Sequence, residues 1–152
     1  MMKLHSLLAA LLIAGFTAVL TSCAPEACFE ETNAYLKASF YIEDKQVAPD
    51  SLTIIGLGQA TKIYNKAGKV QPALFPLNAS AGSCGFVIRI NGVNDTINFQ
   101  YSSYPHLISK ECGYTFYHIL DSHDCTQNNI DTILIINRTI TTVNEENIRI
   151  FY

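Results

Sequence analysis

The amino-acid sequence predicts an all-β fold, and three observations support this class. Apolar and polar residues alternate with a period of two in several short segments, as expected for strands that bury one face. Clusters of turn-forming residues separate these segments. After the N-terminal apolar run, no stretch of ten or more residues shows the period of an amphipathic helix. The 152 residues fit one domain of this kind.

Three strands are predicted in the first half of the chain. Residues 36–42 alternate between apolar and polar and predict a half-buried strand. Residues 52–57 are apolar on both faces, which is typical of a central strand. Residues 70–77 contain Pro72 and Pro76. Because proline lacks the backbone N–H that a sheet ladder needs, this segment is restricted to a sheet edge.

The clearest turn of the chain is Asn91-Gly92-Val93-Asn94-Asp95. Alternating segments flank it, so residues 86–91 and 95–102 predict a β-hairpin. Residues 130–140 are rich in β-branched side chains and predict one further central strand. Residues 148–152 alternate again and predict that the C-terminus is held in a sheet.

These segments predict about eight or nine short strands in all. Strands of this number, separated by turns, are typical of an antiparallel β-sandwich, immunoglobulin-like or related, and we assign residues 35–152 to a single such domain. Hydrophobic residues make up 49% and charged residues 15%, which excludes a disordered or fibrous chain. The formal net charge is −3 and no Lys/Arg cluster occurs, so we expect no nucleic-acid partner.

The N-terminus predicts an export signal. Met1-Met2-Lys3 gives a positive start, and the residues from Leu7 to Leu20 are almost all apolar. Fourteen residues are fewer than the roughly 20 that a helix needs to cross a bilayer. A positive start, a short apolar run and small residues before a cleavage site are typical of a secretory signal peptide, here residues 1–22.

The cleavage site resembles a bacterial lipobox, because Leu20-Thr21-Ser22 precedes Cys23. The motif predicts a diacylglycerol on the Cys23 thiol, which would anchor the mature chain to a membrane without spanning it. Residues 23–34 would then form the lipid anchor and a short tether. Ala24, rather than Asp, follows the cysteine, which favours the outer membrane of the cell envelope and leaves the periplasmic and surface faces open.

Four further cysteines remain after lipidation: Cys28, Cys84, Cys112 and Cys125. An even number in an exported chain predicts two disulfides, and the lack of a Cys-x-x-Cys pair argues against zinc. A strand-like run separates Cys112 from Cys125 and disfavours pairing those two. Two schemes stay open on spacing: Cys28–Cys112 with Cys84–Cys125, or Cys28–Cys125 with Cys84–Cys112.

No constellation in the sequence favours catalysis. The densest polar cluster consists of His118, Asp121, His123, Asp124 and Cys125. Such residues bind metals, but a strand end followed by a polar turn accounts for them, and we expect no metal and no cofactor. Ser102 and Ser103 lie near His106 but lack a Gly-x-Ser-x-Gly nucleophile elbow, so we expect no enzyme activity.

Five segments of the mature chain together carry a resemblance to a known family: "SFYI", "GLGQATKIYN", "LFPLN", "DTINFQYSSYPHLISKECGY" and "NIRIFY". With the lipobox, they resemble a family of small Bacteroidetes-type lipoproteins, a domain of unknown function, over nearly the whole mature chain. The resemblance implies an exported all-β lipoprotein without an assigned activity. It also implies that Cys28 pairs with Cys112, which leaves Cys84 for Cys125.

Bacteria of this type O-glycosylate exported proteins at Asp-Ser or Asp-Thr followed by a small aliphatic or similar residue. Ser51, Thr96 and Thr132 each follow an aspartate in such a context and are candidate O-glycosylation sites. The alternative is that each aspartate ends a turn and a strand begins after it.

These observations predict a non-enzymatic lipoprotein, a binding or accessory module of the outer-membrane envelope with a protein partner in an envelope complex. The alternative is a glycan- or peptide-binding domain that uses a tyrosine-lined sheet face, since tyrosine is amphipathic and stiff. The eight tyrosines are Tyr35, Tyr41, Tyr64, Tyr101, Tyr104, Tyr114, Tyr117 and Tyr152. Contiguous exposed tyrosines in a groove would favour the alternative, whereas one apolar patch would favour a partner interface.

Overall fold

A computed structural model describes residues 27–152, and within this range the fold is all-β with no helix. The predicted signal peptide, the predicted lipidation site Cys23 and the start of the predicted tether lie outside the described residues. The eleven strands in this range are β1 (Tyr35–Ile42), β2 (Lys45–Gln46), β3 (Leu52–Gly56), β4 (Lys62–Ala67), β5 (Ala73–Pro76), β6 (Ser83–Ile90), β7 (Val93–Ser109), β8 (Gly113–Cys125), β9 (Thr132–Ile135), β10 (Thr139–Ile140) and β11 (Ile148–Phe151). No helix long and apolar enough to cross a membrane occurs between residues 27 and 152.

The strands form two sheets. The first has the order β2-β1-β11-β9, with β5 also paired to β1, and the second has the order β10-β8-β7-β6-β3-β4. Their inward side chains belong to one core, where the Phe75 ring lies 5.1 Å from Phe86 and 5.7 Å from Phe99, joining the two sheets. The predicted all-β class is therefore confirmed, while the immunoglobulin-like assignment stays a prediction.

The first sheet is mixed rather than purely antiparallel as predicted. The last strand β11 runs parallel to β1, with Ala38 opposite Ile148 and Phe40 opposite Ile150. The C-terminus is thus held in a sheet, as the alternation of residues 148–152 predicts. The β1 strand is also buried on both faces rather than one, because Lys37 and Ser39 are covered as well.

The predicted hairpin is confirmed, with a tighter turn than the sequence suggests. Asn91 and Gly92 both have positive φ angles, 49° and 98°, and Ile90 pairs with Val93 across them. Positive φ at both central residues matches the right-handed twist of the flanking strands, which is why Asn-Gly is favoured here. The turn therefore needs only two residues, and β7 begins at Val93 instead of residue 95.

The predicted central strand over residues 130–140 is wrong. The chain instead forms β9, which pairs with β11 in the first sheet, and then β10, which pairs with β8 in the second. Asn147 holds this crossing: its side-chain oxygen accepts from the Lys37 N–H at 2.9 Å, and its amide nitrogen donates to the carbonyls of Asn137 and Thr139 at 3.1 and 3.0 Å. Asn147 is 2% exposed and its bond with the Lys37 N–H is buried, so that N–H has no water to replace this partner.

We expect Asn147→Ala to lower the free energy of unfolding by about 2 kcal/mol, because it leaves buried backbone groups without partners. Chemical denaturation followed by circular dichroism measures this change. Asn144→Ala, at an exposed position of the same loop, is the matched control and should change stability by less than about 0.5 kcal/mol. Equal effects of the two substitutions would contradict the role given to Asn147.

Candidate functional site

The hairpin of β7 and β8 extends beyond the sheet that faces it. β7 contains 17 residues, whereas β1 at the centre of the facing sheet contains 8. At about 3.3 Å per residue, the two strands span roughly 55 and 26 Å. Along β8, the side chains of the core face therefore pass from buried Leu120 and His118 to exposed Phe116 and Tyr114. We call residues 103–118 the distal hairpin.

The distal hairpin carries an exposed apolar surface at its end. Leu107 and Tyr114 lie opposite each other in the β7–β8 register, and Phe116 lies opposite Pro105 on the same face. Phe29 lies beside the turn that joins the strands, because it lines a shallow cavity of about 170 Å³ together with residues 109–112. The side chains of Phe29, Tyr114, Leu107 and Phe116 are 91%, 74%, 48% and 46% exposed, and we call these four residues the tip patch.

A disulfide fastens the N-terminal segment to the distal hairpin. Cys28 is bonded to Cys112, with Cα atoms 4.8 Å apart, and Cys112 lies in the turn between β7 and β8. Three residues after Cys112, the Thr115 hydroxyl donates to the carbonyl of Thr32 at 2.6 Å. The Cys28–Cys112 pairing that the resemblance implies is confirmed, and it fixes the start of the described chain at the tip patch.

The second predicted disulfide, between Cys84 and Cys125, is not formed. Cys84 on β6 pairs with Phe99, and Cys125 on β8 pairs with Ile97, so β7 lies between the two cysteines. Two strand spacings place their Cα atoms more than about 9 Å apart, which exceeds the roughly 7 Å limit for a disulfide. The sequence predicts a strand after Cys84 and a strand-like run before Cys125, but not that β7 lies between the two cysteines.

Both thiols are partly buried at the edge of the core. Burial raises the pKa of the Cys84 thiol. Burial and the nearby carboxylates of Asp95 and Asp124 raise the pKa of the Cys125 thiol. Both groups are therefore protonated and weakly nucleophilic at neutral pH, which suits packing better than redox chemistry.

Asp95, which precedes the candidate glycosylation site Thr96, has a structural role. Its carboxylate accepts four hydrogen bonds of 2.6 to 3.1 Å: from the Thr126 hydroxyl and from the backbone N–H groups of Asn128, Asn129 and Ile130. Burial raises the pKa of Asp95, but these donors outweigh it and lower the pKa below its ordinary value. Asp95 therefore lies within β7 and orders the loop after β8, rather than ending a turn before a strand.

The three candidate glycosylation sites differ in exposure. Thr132 is exposed at the start of β9, whereas Ser51 and Thr96 are only partly exposed. The Ser51 backbone also bonds in both directions with Asn91 of the hairpin turn, at 3.1 and 2.9 Å. O-glycosylation of the three residues stays a prediction, with Thr132 the most accessible of them.

The tyrosines do not share one face. Tyr101 is buried and its hydroxyl bonds to the backbone of Asn78, and the burial, together with the nearby Cys84, raises the pKa of Tyr101 to about 12. Tyr104 and Tyr117 meet on the outer face of the distal hairpin, opposite Tyr114, where the His106 ring stacks on Tyr117 at 4.1 Å. The remaining four are dispersed over strands of both sheets or at the C-terminus: Tyr35, Tyr41, Tyr64 and Tyr152.

The predicted polar cluster at 118–125 is divided by the alternation of β8. His118 points to the core, is 3% exposed, and its Nδ1 shares a 2.8 Å hydrogen bond with the Ser103 hydroxyl. Burial lowers the pKa of His118, which keeps the ring neutral. Asp121 and Asp124 are exposed instead. Among residues 27–152, no three His, Cys, Asp or Glu side chains are grouped closely enough to hold a metal ion.

A second concave region borders the first residues of β6. A cavity of about 480 Å³ is bordered by Leu57, Ile63, Pro76 and Cys84, among other residues of the β3–β4 and β5–β6 connections. Its lining contains the single ammonium of Lys62 and no carboxylate or imidazole. It therefore offers an apolar depression without the paired groups that acid–base chemistry needs.

The tip patch is not predicted from the sequence, although a signal is present. The predicted strands stop at residue 102 on one side, while Tyr114 and Phe116 already alternate with Thr115 and Tyr117. The apolar residues that precede residue 118 on β8 need a partner strand of equal length. The segment 103–109 is that partner. That the facing sheet ends earlier is visible only in the fold.

Comparison with known proteins gives a family without an activity. Residues 51–152 match DUF6452, a family of unknown function. No curated protein and no solved structure gives a significant match.

Proposed function

The chain belongs to DUF6452, a family of unknown function, and we propose that it is a membrane-anchored bacterial lipoprotein without enzyme activity. In this proposal it is a binding or accessory module of the outer-membrane envelope, of the small Bacteroidetes-type kind that its phrases resemble. The two sheets around one core serve as a β-sandwich scaffold for this role.

One observation carries the proposal: an apolar run over residues 7–20 leads directly into Leu20-Thr21-Ser22-Cys23. The run is too short to span a bilayer, and its last residues provide the small side chains and the thiol that lipid transfer and cleavage need. A disulfide at Cys28 supports export, since disulfides persist outside the reducing cytosol. Lipid on Cys23 gives firm anchoring once two or more acyl chains are present.

The exposed tip patch favours a binding or accessory role at the envelope over the alternative of a tyrosine-lined glycan or peptide site, because an exposed apolar surface marks contact with either a protein or a membrane. An apolar surface with few tyrosines is typical of an interaction face. The Tyr104–Tyr117 pair is the one local feature that would suit the alternative.

We expect Cys23→Ser to abolish lipidation and signal cleavage, because the thiol is the group that accepts the lipid. Intact-mass measurement of the protein purified from its native membrane should give the mass of residues 23–152 plus lipid, and any O-glycan would add to that mass. The Cys23→Ser protein should retain residues 1–22 and carry no lipid.

Cys84→Ser is the matched control, since it removes a thiol of the folded domain and leaves the lipobox intact. It should keep the lipid and the membrane fraction of the wild type. A wild-type mass equal to the unmodified chain would overturn the proposed anchoring. Co-purification of the lipidated protein, followed by mass spectrometry, then identifies the protein partner.

A further inference from the structure

The tip patch is a continuation of the core face that the fold leaves uncovered. Leu107, Tyr114 and Phe116 lie on the face that buries His118 and Leu120 further along β8. Burying an apolar side chain of this size is worth about 1.5–3 kcal/mol, so four such side chains favour contact with an apolar phase. Phe29, the most exposed of them, precedes the strands and packs against none of the core.

The position of the patch relative to the lipid anchor indicates what covers it. Cys28 is bonded to Cys112 in the distal turn, and Cys23 lies five residues before Cys28. Five residues reach at most about 18 Å even when fully extended. The chain therefore keeps Cys28 within that distance of the lipidated residue, and the disulfide fastens the turn beside the tip patch to Cys28. The Asn91–Gly92 turn lies at the other end of β7.

We propose that the tip patch rests in the headgroup region of the bilayer that holds the Cys23 lipid, a proposal that rests on the anchoring proposed above. Aromatic side chains with a polar end, such as Tyr114, favour this region of a membrane. The charged groups beside the patch are Glu30, Glu31, Glu111 and Lys110. Three carboxylates against one ammonium give no attraction to anionic lipid, so the contact is apolar and insensitive to salt.

The natural chain contains no tryptophan, so one introduced tryptophan reports its own surroundings without background. Tyr114→Trp places the reporter in the tip patch, and Val93→Trp places it about 45 Å away along β7 at a position that is 41% exposed. Each lipidated full-length variant is reconstituted into vesicles of phosphatidylcholine and phosphatidylethanolamine, with or without brominated acyl chains. Flotation first verifies that each variant is anchored.

We expect the Tyr114→Trp emission to shift to shorter wavelength on reconstitution and brominated lipid to quench it several-fold more strongly than Val93→Trp. Phe29→Trp, placed before the first strand, should behave like Tyr114→Trp and guards against a folding defect in the hairpin. The shift should persist in high salt and without anionic lipid.

Equal, weak quenching at all three positions in protein that still floats would overturn the proposal and assign the tip patch to a protein partner, leaving lipid anchoring intact. Failure to float would overturn the anchoring itself and this proposal with it. The two failures are thus distinguishable in one preparation.

Discussion

Replacing both Cys28 and Cys112 with serine is expected to lower the free energy of unfolding by about 4–5 kcal/mol. The disulfide joins residues separated by 84 positions, and closing so long a loop removes much of the conformational freedom of the unfolded chain. Urea denaturation of the oxidised wild type and the double variant measures the difference. Reduction of the wild type should reproduce it.

The control for this prediction is the double variant Cys84→Ser, Cys125→Ser. Because these two thiols are separated by β7 and form no disulfide, their replacement should cost only the packing of two partly buried side chains, about 1 kcal/mol. A reductant should then act on the control as it does on the wild type. A control as unstable as the Cys28/Cys112 variant would contradict the pairing.

The same disulfide determines how closely a lipid on Cys23 would hold the domain. With Cys28 bonded to Cys112, the chain between lipid and fold is five residues, or at most about 18 Å. Without it, the first residue held to the fold is Thr32, whose carbonyl accepts from Thr115, and the reach rises to about 32 Å. The bond therefore limits the orientation of the distal hairpin as well as stabilising the fold.

The features of the fold that the sequence predicts are local. The turn at Asn91 and Gly92 needs two residues that accept positive φ, and the residue types at these two positions are enough to predict it. The confinement of β5 to an edge follows from its prolines for the same reason. In each case a property of one or two residues decides the structure.

The features that the sequence misses depend on distant partners. The parallel pairing of β1 with β11 joins residues 110 positions apart, such as Ala38 and Ile148. The division of residues 130–140 between two sheets depends on pairing with two other strands, β11 and β8. Asn147 is a polar residue just before the predicted strand of residues 148–152, yet it is buried because its side-chain amide completes hydrogen bonds of β1 and of the β9–β10 crossing. The identity of one polar residue does not show which backbone groups will surround it in the fold.

The candidate site divides in the same way. The pairing of Cys28 with Cys112 is implied by a resemblance to other chains, whereas spacing alone leaves two schemes open. The tip patch depends on a difference in length between β7 and the facing sheet, which no local pattern contains. Exposure of an apolar face is a property of the assembled layers, so it appears only once both are known.

Asp95→Asn is expected to lower the free energy of unfolding by about 2–3 kcal/mol at neutral pH, because hydrogen bonds to a charged acceptor are among the stronger ones. The amide can accept through one oxygen only, so some of the four donors of residues 126–130 are left unpaired in a partly buried loop. Thr126→Val removes one donor and should have a smaller effect in the same direction. Urea denaturation at pH 7 measures all three proteins.

The pH dependence of the free energy of unfolding shows how much of the effect of Asp95→Asn comes from the lost charge rather than from the changed side-chain shape. Its pKa is lowered in the folded protein from an ordinary value of 3.8, so the folded state binds its proton less readily than the unfolded state does. The stabilisation is fully present above that ordinary pKa and is lost as the pH falls through the lower folded value. The difference between wild type and Asp95→Asn should therefore shrink from pH 7 to about pH 3, because only the wild type loses this contribution.

Asp131→Asn, at an exposed aspartate, is the matched control and should change stability by less than about 0.5 kcal/mol. A gap between wild type and Asp95→Asn that stays constant over this range would show that the carboxylate charge is not what holds the loop.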